Sequence, residues 1–249
     1  MVAVLLTAAL VGGLLALLNG PWLRVAHVAW GGDSYTDARE LQRALSTLDG
    51  TALLTVDATR VARRLERLPA VARAKVEAVL PDAVRITIVE KVPAFVWQTA
   101  AVRLVGVADG TLIGQVALGA DLPVGLTVLP LIDDRRAASR NIIVGDHIDT
   151  ATLAAALRLS TVQPAAIGSS SPELDVLLTD DDGFLLASVS PAWQADFGLY
   201  PVLDEGEVGT LDEQVSAQVA AVRTLFSFHP EGGVSWVDAR DPGRVYWRP

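Results

Sequence analysis

The chain has 249 residues, 51% of them apolar and 20% charged, enough to bury at least one core and room for two domains of about 100–150 residues each. Its 20 basic residues are outnumbered by 29 acidic ones, giving a net charge of −9, and they are spread along the chain; this argues against a surface that tracks a nucleic-acid backbone, so no nucleic acid is expected as a partner. With no cysteine, neither disulfides nor cysteine-based metal sites hold the fold.

Residues 1–18 carry no charge and consist almost wholly of Ala, Val, Leu and Gly. About 17 apolar residues suffice for a short membrane-spanning helix, and the segment predicts a transmembrane helix over residues 1–22. A cleaved signal peptide is the rival reading, but it wants a basic start and a small-residue cleavage site, and Asn19-Gly20-Pro21-Trp22 follows instead. Arg24 is the only nearby positive side chain, so the positive-inside rule does not by itself orient the chain.

After this segment, Val25, Val28 and Trp30 form an apolar stretch closed by Gly31-Gly32, read as a first strand. Asp37 and Glu40 resemble a capping pair for a helix whose stripe is Leu41, Leu45 and Leu48, stopped at Gly50. Asp57 caps a second helix with the stripe Val61, Leu65 and Leu68. Arg60, Arg63, Arg64 and Arg67 lie off that stripe, on a solvated face, and Pro69 ends the helix. The period then changes to two. Ala74, Val76, Ala78 and Leu80, a turn at Pro81-Asp82, and Val84, Ile86 and Ile88 make a hairpin with one buried face. Residues 24–91 are too few to bury both helical stripes except against one face of a three-stranded sheet, a compact α+β module.

Beyond Lys91 strands dominate. Residues 102–107 and 111–116 flank Asp109-Gly110, and residues 174–178 and 184–189 flank Asp180-Asp181-Asp182-Gly183, both tight hairpin turns. Leu153 and Leu157 mark one helix; Val215, Val219, Val222 and Phe226 mark another, opened by the capping box Thr210-Leu211-Asp212-Glu213. Terminal strands at 234–237 and 244–247 flank Asp241-Pro242-Gly243.

Chemistry is sparse. No phosphate-cradling loop, His-Glu-x-x-His helix or nucleophile elbow is present. His27, His147 and His229 fall in three separate elements without ligand spacing. Counted from Asp180, a calcium loop would need Glu where Pro191 stands. Asp133-Asp134-Arg135-Arg136 reads as a solvated loop rather than an acid–base set. No catalytic, cofactor-binding or metal residues are assigned, no cofactor is expected, and the chain is expected not to be an enzyme.

The order of elements in residues 24–91 resembles a POTRA domain, and four stretches resemble the FtsQ/DivIB cell-division family: residues 25–32, 53–57, 68–76 and 80–97. The last is the most telling, with Glu90-Lys91-Val92-Pro93 leading through a short apolar run to Trp97. Val107-Ala108-Asp109-Gly110, Leu129-Pro130-Leu131 and residues 237–246 extend the resemblance across nearly the whole chain. It departs at Gly32, where the family has Asn, and in lacking a charged cytoplasmic tail.

The resemblance implies an α+β fold of three parts: a transmembrane helix over 1–22, a POTRA domain over 23–91 and an FtsQ-type β domain over 92–249. It also implies a non-enzymatic divisome scaffold in the cytoplasmic membrane at the septum, N-terminus inside and bulk outside. Its partners would be FtsB/DivIC and FtsL-like division proteins, with other divisome proteins at the POTRA domain. In the terminal strand, Arg244, Val245, Tyr246 and Trp247 are the candidate partner-binding residues, because an edge strand can accept a partner strand and aromatics with Arg make hot spots. A POTRA-bearing polypeptide-transport or outer-membrane assembly component is the alternative, and a membrane-bound hydrolase the enzymatic rival.

Overall fold

The computed structural model describes Gly12 and residues 21–200 and 208–249. No helix among these residues is long and apolar enough to cross a membrane. The helix expected over residues 1–22 lies outside them, apart from Gly12 and the start of a 3-10 turn at Pro21–Leu23. The chain divides into two compact units, one ending at Val92 and the other spanning Pro93–Pro249.

The first unit is a three-stranded sheet of β1 (His27–Gly31), β2 (Val71–Val79) and β3 (Ala83–Glu90) in the order β1-β3-β2, with β1 parallel and β2 antiparallel to β3. Helices α1 (Ala38–Leu45) and α2 (Ala58–Leu65) supply Leu41, Leu45 and Leu65 to a core shared with Val84, Ile86 and Ile88, the alternate residues of β3. Asp37 Oδ1 accepts from Arg39 N at 2.6 Å and Asp57 Oδ1 from Arg60 N at 2.9 Å, so each Asp satisfies an orphan donor of its helix. Glu40 does not reciprocate; it lies 3.7 Å from Arg43 instead.

Glu90 ties the unit together. Its carboxylate accepts from the backbone of Ser34 (2.8 Å), Tyr35 (3.0 Å) and Thr36 (2.8 Å) and from Thr36 Oγ1 (2.6 Å). The acidic residue of the Glu90-Lys91 pair thus holds the loop between β1 and α1 to the end of β3.

In the second unit nine strands form one sheet: β4 (Pro93–Gln98), β5 (Val102–Val107), β6 (Leu112–Ala117), β7 (Leu131–Asp134), β8 (Asp175–Thr179), β9 (Gly183–Val189), β10 (Ala192–Gly198), β11 (Trp236–Asp238) and β12 (Tyr246–Arg248). Their order is β12-β11-β10-β9-β8-β7-β4-β5-β6. β7 runs parallel to β4 and β8, and β11 parallel to β10, while the hairpins are antiparallel. Helices α3 (Thr150–Ser160), α4 (Pro164–Ile167) and α5 (Val208–Phe228) accompany the sheet, α3 lying on β7 and β8 and α5 on β10. Pro93 sits at the first position of a central strand, where no ladder donor is needed. Gly106, opposite Phe95, is required by packing: a Cβ there would lie 2.1 Å from the Phe95 ring.

Two expectations are corrected, and one strand is added. Asp133-Asp134 are not a solvated loop but the end of β7, and Asp134 is fully buried. It is held there by Trp97 Nε1 at 3.0 Å and by Arg136 Nε and Nη2 at 2.9 and 2.8 Å, a bidentate pair that satisfies the charge. The chain is already helical at Val208, so Thr210 is inside α5 and not its cap, and Asp212 pairs with Arg158 of α3. β10 went unassigned although Trp193, Ala195 and Phe197 alternate with Gln194 and Asp196, and Asp196 is buried together with its apolar neighbours.

Candidate protein-interaction surface

β12 ends one side of the nine-stranded sheet, paired only with β11 through Trp236–Arg248, Val237–Trp247 and Asp238–Tyr246. Its other side faces no strand among the described residues. A three-residue edge strand leaves backbone donors and acceptors open to a further strand.

The two faces of this edge differ. On one, Arg248 lies over the Trp236 ring at 4.6 Å, a cation–π contact, and Tyr246 is 61% exposed. On the other, Trp247 packs on His229 with ring centroids 4.3 Å apart, at the C-terminal end of α5, and the adjoining Phe228 is 77% exposed. Ser235 donates its backbone N–H to Arg248 O at 2.9 Å and its hydroxyl to Pro249 O at 2.7 Å, fixing the last residues.

Of the four candidate residues, Tyr246 and Trp247 are in the edge strand and exposed. Arg244 is not in the strand: Asp241-Pro242-Gly243 forms a turn in which Arg244 N donates to Asp241 O at 2.9 Å. Val245 is half-buried against the core. Sequence reasoning missed Arg248, Trp236 and His229. Trp236 and Arg248 sit at alternating positions of short strands, which hints at cross-strand pairing, but no sequence signal joins His229 to Trp247.

Polar groups brace the base of this edge. Asp238 accepts two bonds from Arg240, and this pairing lowers its carboxyl pKa despite partial burial. Asp196 of β10, fully buried beside Asp238, accepts from Trp236 Nε1 at 2.8 Å while its Oδ1 has no partner. Burial pushes this carboxyl up to about 6, the Trp236 bond pulling the other way. Glu231 accepts from Ser169 Oγ, Ser170 N and Trp193 Nε1. Burial would raise its pKa, but these bonds hold it below the usual range.

Nothing in this arrangement assembles a nucleophile with a base. Among the described residues, no group of three or more His, Asp or Glu side chains could hold a metal ion. His27 lies near Asp82 at 3.8 Å, His147 beside Gly110, and His229 on Trp247.

Residues 23–91 match the family model of the POTRA domain, FtsQ-type. The chain carries an FtsQ-type POTRA domain. The match supports an FtsQ/DivIB-family protein, a family generally non-enzymatic, and suggests a protein-interaction role related to cell division. No curated protein matches the chain.

Proposed function

We propose that this protein is a non-enzymatic divisome scaffold, held by one apolar helix over residues 1–22 in the cell membrane at the septum, with its N-terminus cytoplasmic and both domains outside. Its second domain binds FtsB/DivIC and FtsL-like proteins by accepting a strand at β12, and its POTRA domain contacts other division proteins. The observation that carries this reading is an FtsQ-type POTRA domain followed in the same chain by a sheet whose last strand is an edge bearing exposed Tyr246 and Trp247. Main-chain bonds along β12 would supply affinity, and the side chains on its two faces would supply specificity. Arg244, on the turn beside the strand, adds charge at the rim, and Val245 anchors the strand to the core.

Co-purification of C-terminally tagged full chain from its source membranes tests the reading. Wild type should bring down small single-pass coiled-coil division proteins. Arg244→Glu combined with Tyr246→Ala should lose them with an unchanged circular dichroism spectrum. Unimpaired capture by the variant, or capture of barrel-assembly or secretion components instead, would contradict it.

A further inference from the structure

α2 and the turn that follows it carry four arginines remote in sequence from the β12 edge. Arg60, Arg63 and Arg64 stand three and four residues apart on α2 and share one of its faces, and Arg67 follows in the turn after the helix. All four are exposed and, with Asp57 and Thr59, they line a groove of about 450 Å³. Their charge is poorly neutralised. Arg60 Nε lies 3.4 Å from Asp57, while Arg64 Nη1 donates to two neutral acceptors, Thr47 Oγ1 at 2.7 Å and Ala44 O at 3.3 Å. Among the described residues Arg63 and Arg67 have no ion-pair partner. The helix dipole favours cations in the last turn, but Arg60 is in the first, where it opposes the dipole. Like charges at these spacings destabilise a helix, so folding alone gives no reason for this face.

Its location supplies one. Val25 N donates to Thr51 O at 2.9 Å, Gly50 N to Val25 O at 3.0 Å, and Arg24 bridges Ala52. The loop before α2 is therefore tied to residues 24–25, and Thr51 lines a second groove, of about 260 Å³, together with Arg60 and Arg64. Six residues separate the uncharged run ending at Leu18 from Val25, a span of at most about 25 Å when extended. Trp22 and Leu54, 71% and 56% exposed, are apolar side chains on this part of the chain, suited to a membrane interface.

We propose that this arginine face docks the POTRA domain on anionic phospholipid headgroups of the bilayer that holds residues 1–22. The inference rests on the anchored reading given above. A multivalent cationic stripe within a Debye length of a negative surface, about 8 Å at physiological salt, is attracted to it in proportion to its charge count. The second unit has the opposite charge balance: from Pro93 onward 9 basic residues stand against 20 acidic ones, a balance that a negative surface repels.

Because the chain has no cysteine, Thr59→Cys gives a unique fluorophore site at the groove. The full chain carrying it is reconstituted in zwitterionic vesicles with or without phosphatidylglycerol, and quenching by headgroup spin-labelled lipid is read alongside vesicle flotation. Flotation in both compositions with stronger quenching in the anionic one is expected. In the anionic vesicles Arg63→Gln/Arg67→Gln should lower the docked-to-undocked ratio about 30-fold, while Arg63→Lys/Arg67→Lys should keep it and molar salt should abolish it. Flotation with quenching that ignores lipid charge overturns headgroup docking and leaves the anchor intact, returning the stripe to solvent or to a protein partner. Loss of flotation in both compositions overturns the anchor and the docking together.

Discussion

The two units handle charge in opposite ways. Up to Val92 there are 11 basic and 9 acidic residues, and the surplus is left on the surface of α2; from Pro93 there are 9 and 20, and the carboxylates reach the interior. Asp134 and Asp196 are fully buried in the second unit, whereas Glu90, the best-bonded carboxylate of the first, is partly exposed. The first unit can therefore lose surface charges with little effect on its fold. The second has charges whose partners decide whether its sheet holds, and its β12 edge exposes the aromatic side chains Tyr246 and Trp247.

Removing a buried partner breaks this contrast most severely. Arg136→Ala strands the Asp134 carboxylate between β7 and Trp97, and should cost about 3–5 kcal/mol in urea denaturation; a loss under about 1 kcal/mol would mean that Asp134 is hydrated or protonated.

A smaller effect is expected at Asp196. An acid whose folded pKa is raised stabilises the fold while protonated; that contribution is full below its usual value near 3.8 and is lost as pH rises through about 6. Relative to Asp196→Asn, wild type should lose about 3 kcal/mol across this window and nothing further above it. A pH-independent difference would show that the carboxyl titrates normally.

In the first unit, Glu90→Ala leaves three backbone N–H groups without their acceptor and should cost about 2 kcal/mol. Hydrogen exchange read separately over residues 23–92 and 93–249 should confine this loss to the former. The smallest stability change, under about 0.5 kcal/mol, belongs to Arg63→Gln/Arg67→Gln, since both side chains are exposed and neither has an ion-pair partner among the described residues.

How much was legible in the sequence followed the same division. Leu41, Leu45 and Leu65 at helical spacing, and Val84, Ile86 and Ile88 at strand spacing, name the buried faces directly, because each element of the first unit is amphipathic and short-range. The hairpins at Asp109-Gly110 and around Gly183 were equally visible, with φ of +91° and +72° at the two glycines. Buried strands were not: Asp133-Asp134 carry two charges that look solvated until Arg136 and Trp97 are placed beside them, and in β10 the buried Asp196 stands where the alternation of Trp193, Ala195 and Phe197 suggests a solvent-facing residue. At the edge, Tyr246 and Trp247 were read from the terminal strand, while Arg244 was misplaced because turn and strand residues are contiguous there. His229 reaches Trp247 only through the packing of α5, a long-range contact that no local pattern encodes.

The central claim is that β12 is the edge that receives a partner. A photo-crosslinking residue at Tyr246, compared with one at exposed Gln115 on β6 at the opposite edge of the sheet, tests it in living source cells. The account predicts crosslinks to a small single-pass division protein from position 246 and none from position 115. Equal crosslinking from both edges, or none from position 246 while the protein remains folded and membrane-associated, would contradict it.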